Sequence, residues 1–389
     1  MKICIVGGGT SAWLTAAFLN NNFQHDIIVI DSDKATSIGV GEATVINFVN
    51  YWVECGFTYQ DLFTKIGATI KTGILFKNWQ ENNKDIWNPF YGPSRSLYEN
   101  NLIVQHFAYK YEMWSKNKEC CDIKYSIPNY DISVINNQID LMIANKGWRF
   151  AFHVDCKKLV EFIQWKILNN INFINSAVKT VQRDSTTSNN ITNLILDNGQ
   201  QIQADLYIDC TGFKSVLKKQ KKINLIDSRL FCNTAIASQV PYINFKKELR
   251  PYTICHAVEH GWIWRIPLLD RFGSGLVFNR NVTDPEKAKK YFINYWDYRI
   301  DESQVNVIDW TPYYIDNFWE DNVVSIGMSA GFIEPLESTG IQFIILGVQN
   351  LINVINVIRN KNYNEYKYIK LTDTDLNETI YRSNNYLNL

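Results

Sequence analysis

Neither sign of charge is in excess in this sequence. Lysine plus arginine number 39, aspartate plus glutamate number 39, and the pI lies near 6.9. The basic footprint that a nucleic-acid-binding chain needs is therefore missing. Cys4, Cys55, Cys120, Cys121, Cys156, Cys210, Cys232 and Cys255 form no C-x-x-C pair and no even-spaced framework. This argues against a disulfide scaffold and for a reducing, cytoplasmic setting. A long apolar run is also absent, because the most apolar helix candidate, residues 341–358, is interrupted by Gln342, Gln349, Asn350 and Asn353. A strand pattern begins directly after Lys2, so no signal peptide is expected. There is no internal repeat or low-complexity linker, and 389 residues suffice for a large core in two lobes. Membrane and nucleic acid are thus not expected partners, while homo-oligomerisation stays open.

What is present begins at once. Residues 3–6 read as a short buried strand, followed by Gly7-Gly8-Gly9-Thr10-Ser11-Ala12 and an apolar helix from about Trp13. This is G-x-G-x-x-[G/A] in its required context: a tight turn, a backbone that can approach a pyrophosphate, and a small residue where helix meets strand. A second strand, residues 26–30, ends at Asp31, where an acid can hold a ribose hydroxyl. A dinucleotide-binding unit follows, with NAD and FAD both open at this point. No second fingerprint of this kind occurs.

Residues 37–44 form a glycine-punctuated loop that reads as a turn or as a backbone surface for a flat cofactor. Residues 70–76 read as one strand carrying Lys71, which is most simply an edge residue in water; were it desolvated, its pKa would fall. Residues 79–114 are rich in aromatics, suiting either a flat substrate or a satellite core. His153 and Asp155 mark a strand-to-helix junction, and Asp197-Asn198-Gly199 signals a hairpin. The basic run 214–222 reads as a solvated loop, and residues 318–326 as one buried strand. His256-Ala257-Val258-Glu259-His260 matches H-x-x-E-H, but the alternation of residues 252–258 is that of a strand, so no metal site is expected. Late in the chain, Ser338 and Thr339 cap the 341–358 helix and Gly340 opens its backbone to an anion.

Three of these runs occur together: Gly7 through Trp13, the W-x-W-x-I-P run of Trp262, Trp264 and Pro267, and an F-x-x-P-x-x-S-x-G signature on Phe332, Pro335, Ser338 and Gly340. In their order and spacing the chain resembles the flavin-dependent halogenases over nearly its whole length, the tryptophan or indole branch above all. The resemblance implies an α/β fold, a Rossmann-like FAD-binding domain of the flavin monooxygenase/halogenase type with an inserted mixed α+β substrate region. The cofactor domain would comprise 1–48, 149–222 and 319–360, the substrate side 49–148 and 223–318, and a short helical segment 361–389. Gly7, Gly9, Thr10, Ser11, Ala12 and Asp31 would bind the dinucleotide; Ile38, Val40, Ala43, Val178, Met328 and Ile341 would contact FAD. Thr339 and Gly340 would hold halide, and Lys71 and Glu337 would be catalytic, Lys77 being the less favoured lysine. Trp262 and Trp264 would wall the substrate from the flavin.

The activity so implied is FADH2- and O2-dependent halogenation of an electron-rich aromatic, via flavin hydroperoxide and hypohalous acid. A separate flavin reductase would supply the reduced cofactor. Two departures from the family pattern bear on the substrate. Asn88 stands where a histidine precedes Pro-Phe, and fewer than about fifty residues follow Gly340. An open site for several indoles and phenols is expected, without strong preference for free tryptophan and with bromide serving at least as well as chloride. The alternatives are a flavin-dependent aromatic hydroxylase and a flavin-binding protein without turnover.

Overall fold

The computed structural model describes residues 1–32, 41–80, 83–90, 150–184, 189–218, 222–224, 230–315 and 317–360. Ile38, Val40, Cys120, Cys121, residues 219–221 of the basic run, most of the aromatic stretch 79–114 and the segment 361–389 lie outside the described residues.

The strands Lys2–Val6, Asp26–Asp31 and Leu206–Asp209 are apolar on both faces, as parallel strands buried between two layers must be. They lie side by side in a six-stranded sheet, flanked by Asn172–Asn175 at one edge and by Val323–Ser325 and Trp319–Glu320 at the other. Alternate residues serve different layers. Ile3, Ile5, Ile27, Val29 and Ile208 face a core shared with the helices Thr10–Asn22, Asn47–Glu54, Cys156–Ile167 and Gly340–Asn360. Cys4, Val6, Ile28, Ile30 and Tyr207 face a second core, closed by the three-stranded sheet of Val178–Arg183, Ile191–Leu196 and Gln201–Ile202. The helix core runs on through Trp52, Phe57, Phe63 and Ile66, so residues 47–66 pack with the dinucleotide-side elements.

A seven-stranded sheet is the second large unit, in the order Asn306–Asp309, Thr234–Pro241, Arg271–Phe278, Gly261–Pro267, Thr253–Val258, Gly73–Gln80 and Lys84–Pro89. Only the pairing of Gly73–Gln80 with Thr253–Val258 is parallel. Period-two alternation sends Ile263 to the core beneath the helix Pro285–Tyr295 and sends Trp262 and Trp264 to the opposite face. There the Trp264 ring lies over Gly275, where an added Cβ would sit 2.2 Å from it. Joining the two large sheets is a small one of Glu42–Ala43, Ala151–Val154 and Thr69–Lys71.

Three expectations need correction. The strand expected over residues 70–76 is two strands, broken at Thr72, whose N–H and Oγ1 both donate to the Pro251 carbonyl at 2.7 and 2.9 Å. Lys71 therefore belongs to the small sheet and Gly73 to the seven-stranded one. Residues 318–326 form a two-strand hairpin turning at Asp321 (φ 52°), not one strand. In the basic run, Lys218 is buried; its ammonium donates to the Asn317 carbonyl, and desolvation lowers its pKa to about 8 against the pull of Glu320, Asp209 and Asp321.

Candidate active site

At the dinucleotide end, the chain must turn sharply from the first strand into the Thr10–Asn22 helix. Gly7 does so at φ +133°, where an added Cβ would sit 2.4 Å from the Cys210 carbonyl oxygen. The N-cap, Gly9, makes no side-chain cap, the first turn carries no acid, and a Cβ on Gly9 would meet nothing within 4 Å. The first N–H groups of the helix, without intrahelical partners, thus face space left open among the described residues, which suits an anionic phosphate. The Asp31 carboxylate lies over Gly8, within 1.9 Å of where a Cβ would be, so the acid of the second strand reaches the turn. Ser11 Oγ donates to the Ile326 carbonyl at 3.1 Å, tying this helix start to the Gly327–Ser329 turn, and Ala12 is fully buried. These features fit a dinucleotide cofactor such as FAD.

The remaining flavin candidates divide. Ala43 is buried in the cluster that holds Trp262 and Trp264, with Phe213, Phe332 and Leu336 packed on it. Met328 is 42% exposed, its Cε near Gly212. Val178 packs under the far face of the six-stranded sheet. Ile341 is buried in the helix core, which leaves its backbone as the part able to face a ligand.

At the other helix start, the Pro335 carbonyl accepts from the Ser338 N–H at 3.1 Å, and Ser338 takes the left-handed conformation (φ 60°). The Thr339 carbonyl then accepts the first helical bond, from Phe343 at 2.9 Å. Glu337 and Gly340 are exposed and Thr339 half-buried. Glu42, which the sequence reading placed in the 37–44 loop without a role of its own, comes near Gly340, where an added Cβ would be 3.7 Å from Glu42 Oε2. Burial pushes its carboxyl pKa up, while a hydrogen bond with Cys156 pulls the other way.

Lys71 is where the structure departs furthest from the simple reading of the sequence: it is fully buried. Its Nζ donates to the Thr44 carbonyl at 3.0 Å and lies 4.9 Å from the centroid of the Phe90 ring. Desolvation brings its pKa down to about 7, although the Cys255 thiol and the Glu337 carboxylate both act to raise it. Residues 71 and 337, so distant in sequence, thus share one electrostatic neighbourhood. Lys77 is half-buried and pairs in register with His256, on the other strand of the broken run. Trp262 and Trp264 are buried with ring centroids 6.1 Å apart, and the Pro267 carbonyl accepts from Thr69 Oγ1 at 2.5 Å.

His256 lies in a strand, its ring nitrogens paired with Asn78 at 2.9 Å and Tyr295 at 2.7 Å, and His260 in the turn beyond it. Among the described residues no group of three His, Cys, Asp or Glu side chains is arranged to hold a metal ion. No helix among them is long and apolar enough to cross a membrane.

The family model described as tryptophan halogenase matches residues 2–379. The chain belongs to the tryptophan halogenase family. Over 380 residues it is 30% identical to tryptophan 6-halogenase ThaL of Streptomyces albogriseolus, covering 90% of this chain and 69% of that one. It is 29% identical, with the same coverage, to tryptophan 7-halogenase RebH of Lentzea aerocolonigenes. Among solved structures, Xcc4156, a flavin-dependent halogenase from Xanthomonas campestris, superposes with a TM-score of 0.78 at 25% identity, covering all of this chain and 75% of that one. The protein is thus an enzyme of the flavin-dependent halogenase class, with the Rossmann-like FAD-binding fold of that class.

The sequence motifs point to Lys71 and Glu337 through resemblance alone. They carry no sign of Thr44, Phe90 and Cys255 around the lysine, because those neighbours come from three separate strands and loops. The one available signal was the lysine's setting between Ile70 and Gly73-Ile74-Leu75, with no acid nearby in sequence.

Proposed function

We propose that this enzyme halogenates an electron-rich aromatic small molecule, indole-like or phenolic, using reduced FAD, O2 and halide. The observation that carries the reading is the fully buried Lys71, with its pKa near 7, within the electrostatic reach of Glu337. The relatives ThaL and RebH, both tryptophan halogenases, support the indole-like class. Gly7, Gly9, Thr10, Ser11, Ala12 and Asp31 would hold the dinucleotide, with Ala43, Met328 and the backbone at Ile341 toward the flavin. Thr339 and Gly340 would hold the halide at the helix start. The chemistry that reduced FAD supplies when bound is oxidation of halide by O2 to hypohalous acid.

This chain's residues do the rest. Near pH 7 about half of Lys71 is the neutral amine, whose lone pair can take the halogen of hypohalous acid with loss of water, giving an N–halogen bond. The ammonium form can instead donate a hydrogen bond that polarises the oxidant. Glu337 would stabilise the cationic ring intermediate and accept the displaced ring proton. The indoles of Trp262 and Trp264 would exclude water and keep the aromatic away from the flavin. Because these walls are apolar, discrimination among substrates is expected to be weak, with no strong preference for free tryptophan and with bromide as good as chloride.

We also propose a separate flavin reductase as the source of reduced cofactor, and a cytoplasmic location in keeping with the free thiols of Cys4, Cys55, Cys156, Cys210, Cys232 and Cys255. The cofactor domain of this reading is built from 1–48, 149–222 and 319–360, with residues 47–66 packed upon it. The test is an assay with FAD, NADH, an added flavin reductase, bromide and a panel of indoles and phenols. Brominated product is expected only when the reductase is present. Hydroxylated product would make the protein an aromatic hydroxylase, and no product with FAD bound would make it a flavin carrier.

A further inference from the structure

His153 sits fully buried in the middle of the small sheet, opposite Thr69 on one side and Ala43 on the other. Its Nδ1 is 3.0 Å from Thr69 Oγ1 and its Nε2 is 2.9 Å from Thr253 Oγ1. The proton positions follow from counting. The Pro267 carbonyl can only accept, so at 2.5 Å it takes the single hydroxyl proton of Thr69. Thr69 Oγ1 can then only accept from His153, which puts the ring proton on Nδ1. In the neutral ring Nε2 is left as an acceptor for the Thr253 hydroxyl. Every polar hydrogen in this chain of bonds is used, in one direction.

The four groups so joined belong to strands that meet at the lysine. Thr69 is two residues before Lys71, hence on the same face of its strand. Pro267 ends the strand of Trp262 and Trp264, and Thr253 begins the strand of Cys255. The lysine's own acceptor is tied to the same place: the Thr44 N–H donates to the Phe152 carbonyl at 2.8 Å, and Thr44 Oγ1 accepts from the Phe152 N–H at 2.9 Å. A protonated ring would add a second buried cation beside Lys71, and burial together with the Lys71 charge holds the His153 pKa well below its usual value.

We infer that His153 is a positioning residue for Lys71: as a neutral imidazole with its proton on Nδ1, it bolts the lysine's strand to the seven-stranded sheet and sets where Nζ lies, without exchanging a proton itself. The inference rests on the proposed role of Lys71. Nitrogen-15 NMR of histidine-labelled enzyme, with the His153 signals assigned by their loss in His153→Gln, should show a neutral Nδ1–H ring from pH 8 down to pH 5. An Nε2–H tautomer or an imidazolium in that range overturns it.

Kinetics give the second arm. Glutamine offers an NH2 donor group and a carbonyl acceptor and cannot be charged, so His153→Gln should keep kcat within about threefold. His153→Leu should lower kcat by at least about tenfold with KM within about twofold, the pattern of a misplaced catalytic group. If the neutral amine of Lys71 captures the halogen, the rate falls below pH 7 as that amine is protonated, and this acid limb should survive in His153→Gln. Full activity in His153→Leu, a Gln variant as impaired as the Leu one, or loss of the acid limb would each refute the assignment. If His153→Leu does not fold, the nitrogen spectrum and the Gln variant still decide. Halogenation by Lys71→Met would instead overturn the proposed role of Lys71, leaving the tautomer result to stand by itself.

Discussion

The two ends of the proposed site solve opposite problems. At the Thr10–Asn22 helix, backbone N–H groups open onto free space around Gly9, and what the site offers is polarity already formed by a local turn. At Lys71, a cation is enclosed in an apolar wall with one carbonyl acceptor and an aromatic ring, and its basicity is lowered by desolvation. The first end costs the fold little, since N–H groups at a helix start lack intrahelical partners in any case. The second end works against stability, because the folded state must disfavour the charged form of a lysine. One region is a polar surface given by secondary structure; the other is strained electrostatically by tertiary packing.

The sharpest way to break this contrast is Lys71→Met, which keeps the volume and removes the amine. Halogenation should fall by at least about 10³-fold while FAD affinity stays within about twofold; retained halogenation at constant reductase and bromide would mean a freely diffusing oxidant. The same variant should be more stable than the wild type. A folded pKa near 7 against an ordinary value of 10.5 means that the unfolded chain binds more protons between those pH values. Wild-type stability therefore rises with pH across that window, and below pH 7 the full penalty applies. Denaturant unfolding should show a gain on the order of 3–4 kcal/mol for Lys71→Met near pH 7, shrinking to about half near pH 9. A gain that does not change with pH would contradict the desolvated lysine.

Glu337→Gln should slow turnover by about 10²-fold, the size of a lost general base or charge stabiliser. Steady-state kinetics with unaltered flavin binding would separate this from a folding defect. At the other end, Gly9→Val adds a side chain where nothing stands and where the backbone (φ −86°) accepts one. The melting temperature should hold, while FAD binding weakens by about tenfold by calorimetry, since only the ligand's approach is blocked. An unchanged Kd would detach the cofactor from this turn. The smallest effect is expected from Lys77→Ala, less than about twofold in kcat/KM, because its strand has left the lysine pocket at Thr72.

How much of this was legible in advance depended on the distance over which each feature is decided. The Gly7 turn, the Thr10 helix and Asp31 follow from some thirty consecutive residues whose strand, turn and helix signals agree. The W-x-W alternation likewise settles that Trp262 and Trp264 share a face. The break at Thr72 was only faintly legible: Gly73 beside it can mark an interruption, but the acceptor that ends the first strand is the Pro251 carbonyl, far along the chain. Lys218 misled for a similar reason, since a basic run reads as solvated until the Asn317 carbonyl is brought to it.

The amino-acid sequence by itself determined the dinucleotide fold, its glycine turn, the order of its motifs and the identity of the two residues on which the chemistry is proposed to rest. Tertiary structure alone decided that Lys71 is buried and not an edge residue, that Glu337 and Cys255 lie in its field, and that His153 joins the strands around it. The physical reason is that a turn or a helix start is specified by neighbours in sequence, whereas desolvation and the tautomer of a buried ring are sums over neighbours in space. Thr44, Phe90, Thr253 and Pro267 become neighbours of this site only when the small sheet closes against the seven-stranded one.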